Sequence, residues 1–493
     1  MLDCLLLIIP KLDPYGPLIG PNLLKACLQD NGFSAKVKDY NIELYNNINE
    51  THGSLWFGED DTFLLQDHYD KLYNSTLKPY IKRWANECLE ENANWIGISL
   101  FTQRSNYIAV SLMQEIKRKN PNQKIVLGGA GLSDLEIESS LAVANEYGAK
   151  IICDAFIYGD GESALVSLLN GKNVESSFKS PMQEDDLDSI PFPDYSDVNW
   201  SSYVNDPVND IPVISVTGSR GCVRKCTFCT VPALWPKYRF RSGRNIAEEI
   251  EYLYKETGLT YFEFTDSLIN GSMKAYRDMC IELTKLNNQL NDKILWTSQF
   301  ICRSERQMPE KDWELTAKSG CQSLAIGIES GSEAVREHMK KKFTDEDMWF
   351  TFEMAAKYNI QVRTLLLIGY PTETKEDFQE TIELVEGIYK INKKYKQSNP
   401  HHVFAGRTMF IVPQIPVYAM ATEMGINDRD NVLNWEYKDN TRAVRLQRQM
   451  ELLEACDKFG FHQNKWIKAR LPALIHEYNE LMDNDLSIKQ IAI

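Results

Sequence analysis

The chain has 493 residues, with 54 Lys and Arg against 69 Asp and Glu and a formal net charge of −15. With 43% apolar and 25% charged residues it has the balance of a globular protein with a sizeable core, which excludes a disordered or fibrous chain. No apolar run reaches the roughly 18–20 residues of a membrane span, and the acidic balance argues against a general nucleic-acid coat protein.

At about 150 residues per domain, two to four domains are expected. Leu5–Ile9 is a continuous apolar run, the pattern of a buried parallel strand. The segment Met1–Pro10 has no basic lead and no small-residue cleavage site, so it is read as that strand and not as a signal peptide. A Gly/Pro-rich loop, Lys11–Pro21, leads to a predicted helix Asn22–Asp30, stopped by Asn31-Gly32. Ala35–Asp39 reads as a second strand, and residues 42–93 as a polar, aromatic, largely helical insertion. Trp95–Leu100, Lys124–Leu127 and Ile151–Ile157 read as strands, with helices Asn106–Lys119 and Glu162–Leu169 between or after them. This alternation predicts a doubly wound, Rossmann-like α/β domain over 1–175. Prolines, serines and acids over 176–205 read as a linker. From 206 to 415 the strands Val213–Thr217, Tyr261–Thr265, Ile294–Phe300, Ser323–Ile328, Arg363–Ile368 and Val403–Ile411 alternate with helices. They predict a partial (β/α)6 barrel with its chemistry at the C-terminal strand ends. Residues 416–493 are expected to be helical.

Of eleven cysteines, eight stand singly in apolar contexts and read as small buried hydrophobes. The odd count and the absence of a secretory leader point to a reducing compartment, the cytoplasm, with no disulfide framework. The other three form Cys222-x3-Cys226-x2-Cys229 directly after the first barrel strand. Three thiolates on a tight loop can each ligate one iron of a cubane cluster, leaving the fourth iron open to a ligand. A zinc site or chance clustering is the alternative. Structural zinc sites, however, usually pair two Cys-x2–4-Cys elements, and no second pair is visible.

The cysteine spacing, with Phe228 just before the last cysteine, resembles the radical S-adenosylmethionine (SAM) superfamily. The resemblance implies a [4Fe-4S] cluster held by Cys222, Cys226 and Cys229, SAM on the open iron, and one-electron cleavage of SAM to a 5′-deoxyadenosyl radical. It extends through Phe262-x-Phe264-x-Asp266, Trp296–Arg303, Gly327-Ile328-Glu329-Ser330-Gly331 and Leu367–Thr374, each at a strand end. By that resemblance Phe228 offers backbone contacts to the adenine, and Asp266, Gln299 and Arg303 approach the mouth. Glu329 and Ser330 would face the ribose and methionyl part of SAM, and Gly369 lets the backbone pass close to the adenine. Lys341 and Lys342 occupy a familiar position but read as a solvated helix end. In the tract Trp235–Ser242, Arg239 or Arg241 could pair with a substrate carboxylate or phosphate, or serve the fold. His401-His402 read as a strand start, not as metal ligands.

Residues 1–175 resemble the cobalamin-binding domain that precedes the barrel in one large radical SAM subfamily, on Gly97–Leu100, Gly128-Gly129 and Tyr158–Glu162. The resemblance implies that Ser99 hydrogen-bonds the cofactor's nucleotide tail and that Gly128 and Gly129 let it pass. The loop after the first strand carries Asp13-Pro14-Tyr15 where many cobalamin domains have a cobalt-binding His, so a scaffold without cobalamin stays open. The reading that follows is cobalamin-dependent C-methylation of a small molecule, with an electron donor such as flavodoxin or ferredoxin and no membrane or nucleic-acid partner. SAM-only rearrangement, cyclisation or bond formation is the alternative, and a non-enzymatic Fe–S or zinc protein the remaining one. An RNA methylthiotransferase would need a second three-Cys cluster, and Cys4, Cys27, Cys88 and Cys153 lie too far apart in sequence to suggest one.

Overall fold

The computed structural model describes residues 1–57, 63, 66–131, 153–174, 181–205, 211–429, 431–463 and 471–482. The chain divides into two compact units. The first comprises residues 1–216, 233–241 and 249–261, and the second comprises 217–232, 242–248 and 262–493.

The first unit is built on a five-stranded parallel sheet of β1 (Leu2–Ile8), β2 (Ala35–Asp39), β3 (Ala93–Ser99), β4 (Lys124–Gly128) and β5 (Ala155–Ile157), in the order β2-β1-β3-β4-β5. The apolar run in β1 is buried on both faces, as a central parallel strand requires. Of the strand expected at Ile151–Ile157, residues 151 and 152 lie outside the described ones. The order reverses between β1 and β3, where Ile8 pairs with Ser99. In doubly wound sheets this switch point, at the carboxyl ends of the strands, is where the ligand crevice forms.

Helix α1 (Ile19–Asp30) starts three residues before the expected Asn22. Pro21 falls in its first turn, where no intrahelical N–H partner is needed. The stop is as expected, with Gly32 at φ 82°. The aromatic stretch forms α2 (Tyr40–Phe57), a short helix Gln66–Leu72 and α3 (Lys78–Glu90). Tyr40 stacks on Trp84 at 4.7 Å, so these aromatics are core and not surface. Helices α4 (Asn106–Lys119) and α5 (Glu162–Leu169) complete the unit.

The segment read as a linker is an ordered strap over 181–205; residues 176–180 lie outside the described ones. Met182 bridges Gly159. Buried Lys25 pairs with Asp194 at 3.2 Å and Asp197 at 2.6 Å, and the Tyr203 hydroxyl donates to Asp39 at 2.6 Å. Two of the acids that erase periodicity here, Asp194 and Asp197, are the counterions of a buried lysine.

A second, six-stranded sheet runs β11-β10-β9-β8-β7-β6. Its strands are β6 (Ile214–Val216), β7 (Tyr261–Phe264), β8 (Leu295–Phe300), β9 (Cys321–Glu329), β10 (Gln361–Leu366) and β11 (His402–Phe404). The strand expected over Val403–Ile411 pairs only through Phe404, with one later bridge, Ile368 to Thr408. At Gly406 a Cβ would collide with the Leu366 carbonyl, so the backbones come too close for a regular ladder to continue. In the second unit α6 (Met273–Gln289), α7 (Glu310–Lys318), α8 (Glu333–His338), α9 (Asp345–Lys357) and α10 (Lys375–Tyr395) follow strands. Alternate strand residues pack under them: Phe300 meets Tyr276 of α6 at 5.7 Å and Trp313 of α7 at 5.8 Å. His401 is buried, with Nδ1 accepting from Val362 N–H at 3.0 Å and Nε2 2.9 Å from the Phe352 carbonyl. It is a structural pin.

The C-terminal segment contributes α11 (Pro416–Met424) and α12 (Arg442–Lys458) to this same unit. Residues 464–470 and 483–493 lie outside the described ones. All eight scattered cysteines are buried. Among the described residues no helix is long and apolar enough to cross a membrane.

Removing both counterions of Lys25, in Asp194→Ala with Asp197→Ala, leaves an uncompensated buried ammonium. Urea unfolding should show a loss of about 3 kcal/mol. Unchanged stability would mean that the strap does not hold the sheet.

Candidate cluster and cofactor site

The cysteine loop leaves the C-terminal side of β6. Its entrance is set by Asp266, buried at the end of β7, whose carboxylate accepts from Gly218 N–H at 2.8 Å. Its middle is fixed at Thr227. There the N–H donates to the Met339 carbonyl at 3.1 Å, the hydroxyl lies 2.9 Å from the Tyr370 hydroxyl, and the carbonyl accepts from Val417 N–H at 2.9 Å. Three separate elements therefore hold one loop residue. Arg224 N–H donates to Cys222 Sγ at 3.3 Å, and the Arg224 guanidinium donates to the Lys342 carbonyl at 3.1 Å. Burial raises the Cys226 thiol, against the pull of Lys341, and burial pushes Cys229 up to about 11. Metal would have to displace protons from these two.

Glu329 ends β9 with φ 70°, a left-handed conformation rare for a residue with a Cβ. Its carboxylate accepts from Lys341 Nζ at 3.1 Å. Lys341, read from sequence as solvated, is only 8% exposed, and its ammonium lies 5.6 Å from the centroid of the Phe228 ring. Burial opposes its charge, but Glu329 and Cys226 hold it above the usual lysine range. Gly327 makes this possible: a Cβ there would strike Glu329 Oε1 and crowd Lys341 Nζ. Glu329, Phe228, Lys341 and Cys226 are thus one electrostatic group. Lys342 is exposed, as expected.

Other candidates are spoken for by the fold. Ser330 is fully buried and its hydroxyl accepts from Ser332 N–H at 3.2 Å. Arg303 donates to the carbonyls of Asn270 at 2.6 Å and Gly271 at 2.9 Å, so it braces the loop after β7. Gln299 is exposed on the inner face of β8. Gly369, at φ 76°, has no room for a Cβ because the Arg445 side chain lies against it. Its N–H donates to Glu373 at 3.0 Å, and Glu373 in turn accepts from Arg448 at 2.9 Å. Asn440 donates to the Tyr370 carbonyl at 2.9 Å. Arg445, Arg448 and Asn440 were not read from sequence as parts of the site. Their only signal is a run of arginines on α12.

In the first unit Ser99 is half-buried at the end of β3. Gly128 takes Leu100 N–H on its carbonyl at 2.8 Å. Gly129, at φ 112°, lies against the Leu100 carbonyl, where a Cβ would not fit. The Tyr15 carbonyl accepts from Val213 N–H at 2.9 Å. Arg239 and Arg241, offered as substrate ligands, are internal: Arg239 pairs with Asp160 and Arg241 with Glu249, all four buried. Trp235 also donates to Asp160 at 3.0 Å, so the tract Trp235–Arg241 anchors the Tyr158–Glu162 turn.

Residues 216–385 match the radical SAM superfamily. The chain carries a radical SAM domain. Such a domain takes a [4Fe-4S] cluster and SAM, and the donors fit. Among the described residues no three metal-binding side chains converge on a single ion.

Among curated relatives, the anaerobic magnesium-protoporphyrin IX monomethyl ester cyclase of Cereibacter sphaeroides is 24% identical over 301 residues, 57% of this chain and 47% of that protein. The cytidylyl-2-hydroxyethylphosphonate methyltransferase of Streptomyces wedmorensis is 26% identical over 289 residues, 54% of this chain and 52% of that protein. The chain spans about half the length of these relatives. Among solved structures, the cobalamin-dependent SAM radical enzyme OxsB, with aqua-cobalamin bound, aligns at TM-score 0.66 and 14% identity over 97% of this chain and 71% of that one. The radical SAM methyltransferase TsrM of Kitasatospora setae, with cobalamin and a [4Fe-4S] cluster bound, aligns at 0.60 and 16% over 86% and 76%. At these identities the likeness is one of fold: a Rossmann-like domain, a partial barrel and a helical C-terminal region.

Two predictions test the radical SAM site. Gly327→Ala should displace the Glu329–Lys341 pair and weaken SAM binding to the reconstituted chain about tenfold, or about 1.4 kcal/mol, while the cluster absorbance stays. Unchanged affinity would show that the pair does not serve SAM. Burial pushes the Glu373 carboxyl up to about 7, with Arg448 only partly offsetting it. Between about pH 4.5 and 7 the folded chain therefore keeps a proton that the unfolded chain has lost, and stability should fall as pH rises through that window. Melting curves of Glu373→Gln should show a flatter pH dependence than the parent; an identical slope would refute it.

Proposed function

We propose that this radical SAM protein is a methyltransferase that binds cobalamin in its first unit and methylates a carbon of a small molecule. The observation that carries this reading is the pairing of two architectures in one chain. A sheet of order β2-β1-β3-β4-β5 has Ser99 and Gly129 beside its switch point, and a three-cysteine loop stands at the strand ends of a partial barrel. The shared fold with OxsB and TsrM supports it.

When bound, the cofactors supply an electron that cleaves SAM to methionine and a 5′-deoxyadenosyl radical, and a corrin that carries methyl groups. The chain's own residues then have separable tasks. Cys222, Cys226 and Cys229 hold the cluster, and Asp266 and Thr227 fix the loop that presents them. Glu329, paired with Lys341, would accept from the ribose hydroxyls or the ammonium of SAM. The Phe228 backbone would border the adenine. Ser99 donates to the nucleotide tail of the corrin, which passes Gly128 and Gly129. An external flavodoxin or ferredoxin supplies the electron. A second reading, SAM chemistry without cobalamin, is favoured by one feature: the Tyr15 loop has no His and its backbone is already paired with Val213.

The deciding experiment is cofactor content. Anaerobic expression with hydroxocobalamin, followed by exhaustive washing, should leave about four irons and one cobalamin per chain. Replacing Cys222, Cys226 and Cys229 by Ala should remove the iron and all SAM cleavage while cobalamin stays. Iron without cobalamin would make the first unit a scaffold and the chemistry SAM-only.

A further inference from the structure

The inner face of the barrel carries a feature that neither cluster nor SAM uses. Strand register aligns Gln299 of β8 with Ala325 of β9, Ala325 with Arg363 of β10, and Arg363 with His402 of β11. One row deeper, Thr297 aligns with Ser323. One row nearer the mouth, Gly327 aligns with Leu365 and Leu365 with Phe404. These residues share the face opposite to the one that packs under the helices. This inner face is open: Gln299 is exposed, and Leu365 is 36% exposed in mid-strand, while their chain neighbours Phe300 and Leu366 are buried.

Arg363 stands in the middle row. One terminal nitrogen, Nη2, donates to the Thr297 hydroxyl at 2.8 Å. That hydroxyl lies 2.7 Å from Ser323 Oγ, so the guanidinium is held by a cross-strand chain of hydroxyls. Its Nε is buried and has no acceptor, and among the described residues no carboxylate reaches Arg363. Arg363 is half-buried; elsewhere in this unit the Nε of Arg336 and Arg445 also lacks an acceptor, but Arg336 is met by Asp345, Arg448 by Glu373 and Arg445 by the Leu433 and Trp435 carbonyls. Between Arg363 and Gln299 stands Ala325, whose methyl is the smallest side chain in the row, leaving a recess floored by the hydroxyls and bordered above by Leu365. A planar fork of donors, held at one end and unmatched at the other, is suited to a bidentate carboxylate. A carboxamide on one side and apolar carbon above fit the rest of an organic acid.

We propose that Arg363 is a specificity-determining residue that binds the carboxylate of an organic acid substrate, with Gln299 as its polar companion, deeper in the barrel than Glu329. This deepens the proposed function and rests on it only in taking the barrel interior as the substrate chamber.

The test needs no turnover. Benzoate, phenylpyruvate and indole-3-acetate, and the amide of each, are titrated calorimetrically into the cluster-reconstituted full chain. At least one acid should bind tenfold or more tightly than its amide. Arg363→Gln should abolish that preference, and Arg363→Lys should retain part of it. Cluster absorbance and SAM binding, read on the same samples, should not change. No acid preferred over its amide in the parent chain, or a preference that survives in Arg363→Gln, would overturn the proposal. A preparation that lacks cluster and SAM binding yet keeps an Arg363-dependent acid preference would instead remove the radical SAM methyltransferase reading and leave this site standing.

Discussion

A half-buried carboxylate at the end of a parallel strand meets a buried ammonium beside the cysteine loop. Glu329 meets Lys341 at 3.1 Å, and much of the second unit is arranged around that contact. A lone buried carboxylate would take up a proton, and a lone buried ammonium would lose one. Here Glu329 and Cys226 hold the Lys341 ammonium above the usual lysine range. The cost appears in the backbone: Glu329 adopts a left-handed conformation worth roughly 1–3 kcal/mol of strain, and the pairing of β9 with β10 shifts register at Gly327 and Glu329. Gly327 gives up its side chain so that the pair can close over it. The same lysine faces the Phe228 ring, so the strand end and the cysteine loop are tied through one cation.

Rigid placement of the loop then follows from neutral contacts, not further charge. Thr227 is held by Met339, Tyr370 and Val417, and the segment bearing Tyr370 is held in turn by Asn440, Arg445 and Arg448 of the C-terminal region. A loop that must carry three thiolates near one another gains from such scaffolding, because thiolates repel and would otherwise spread. The C-terminal helix α12 is therefore part of the site's support and not an appendage. Of its arginines, Arg445 is buried against the Leu433 and Trp435 carbonyls at 2.6 and 2.8 Å, while Arg448 pairs with Glu373 and Arg442 with Glu477.

What could be read from sequence was whatever is written in local spacing. Apolar runs marked the strands, Asn31-Gly32 marked a helix end, and Cys222, Cys226 and Cys229 with the strand-end motifs marked the radical SAM domain. What could not be read depends on partners far along the chain. Lys341 sits in a run of three lysines and looks solvated; only the fold shows that the middle one turns inward to a carboxylate twelve residues earlier. Arg239 finds Asp160 across 79 residues, so two features that looked like separate ligand sites are one internal contact. The strap over 181–205 resembled a linker because prolines and acids break periodicity whether or not the acids have a buried lysine to meet. Arg363 was legible only as a strand residue. Its significance lies in what it lacks, and an unmatched donor has no signature in sequence.

The same reasoning bears on the loop after β1. Leu12 N–H donates to Asn41 at 2.8 Å, the Pro14 carbonyl accepts from Val204 N–H at 3.0 Å, the Tyr15 carbonyl accepts from Val213 N–H at 2.9 Å, and Gly16 lies against the Val213 carbonyl with no room for a Cβ. Backbone groups committed in this way are costly to free, since each would be left unsatisfied in a buried place. A loop so bound cannot swing to present a ligand to a metal without breaking several of these contacts. Had a histidine stood at position 15, its backbone would still be tied to Val213. A corrin taken up by the first unit would therefore have to be held from the β3 and β4 ends, where Ser99 and Gly129 stand, and not by this loop.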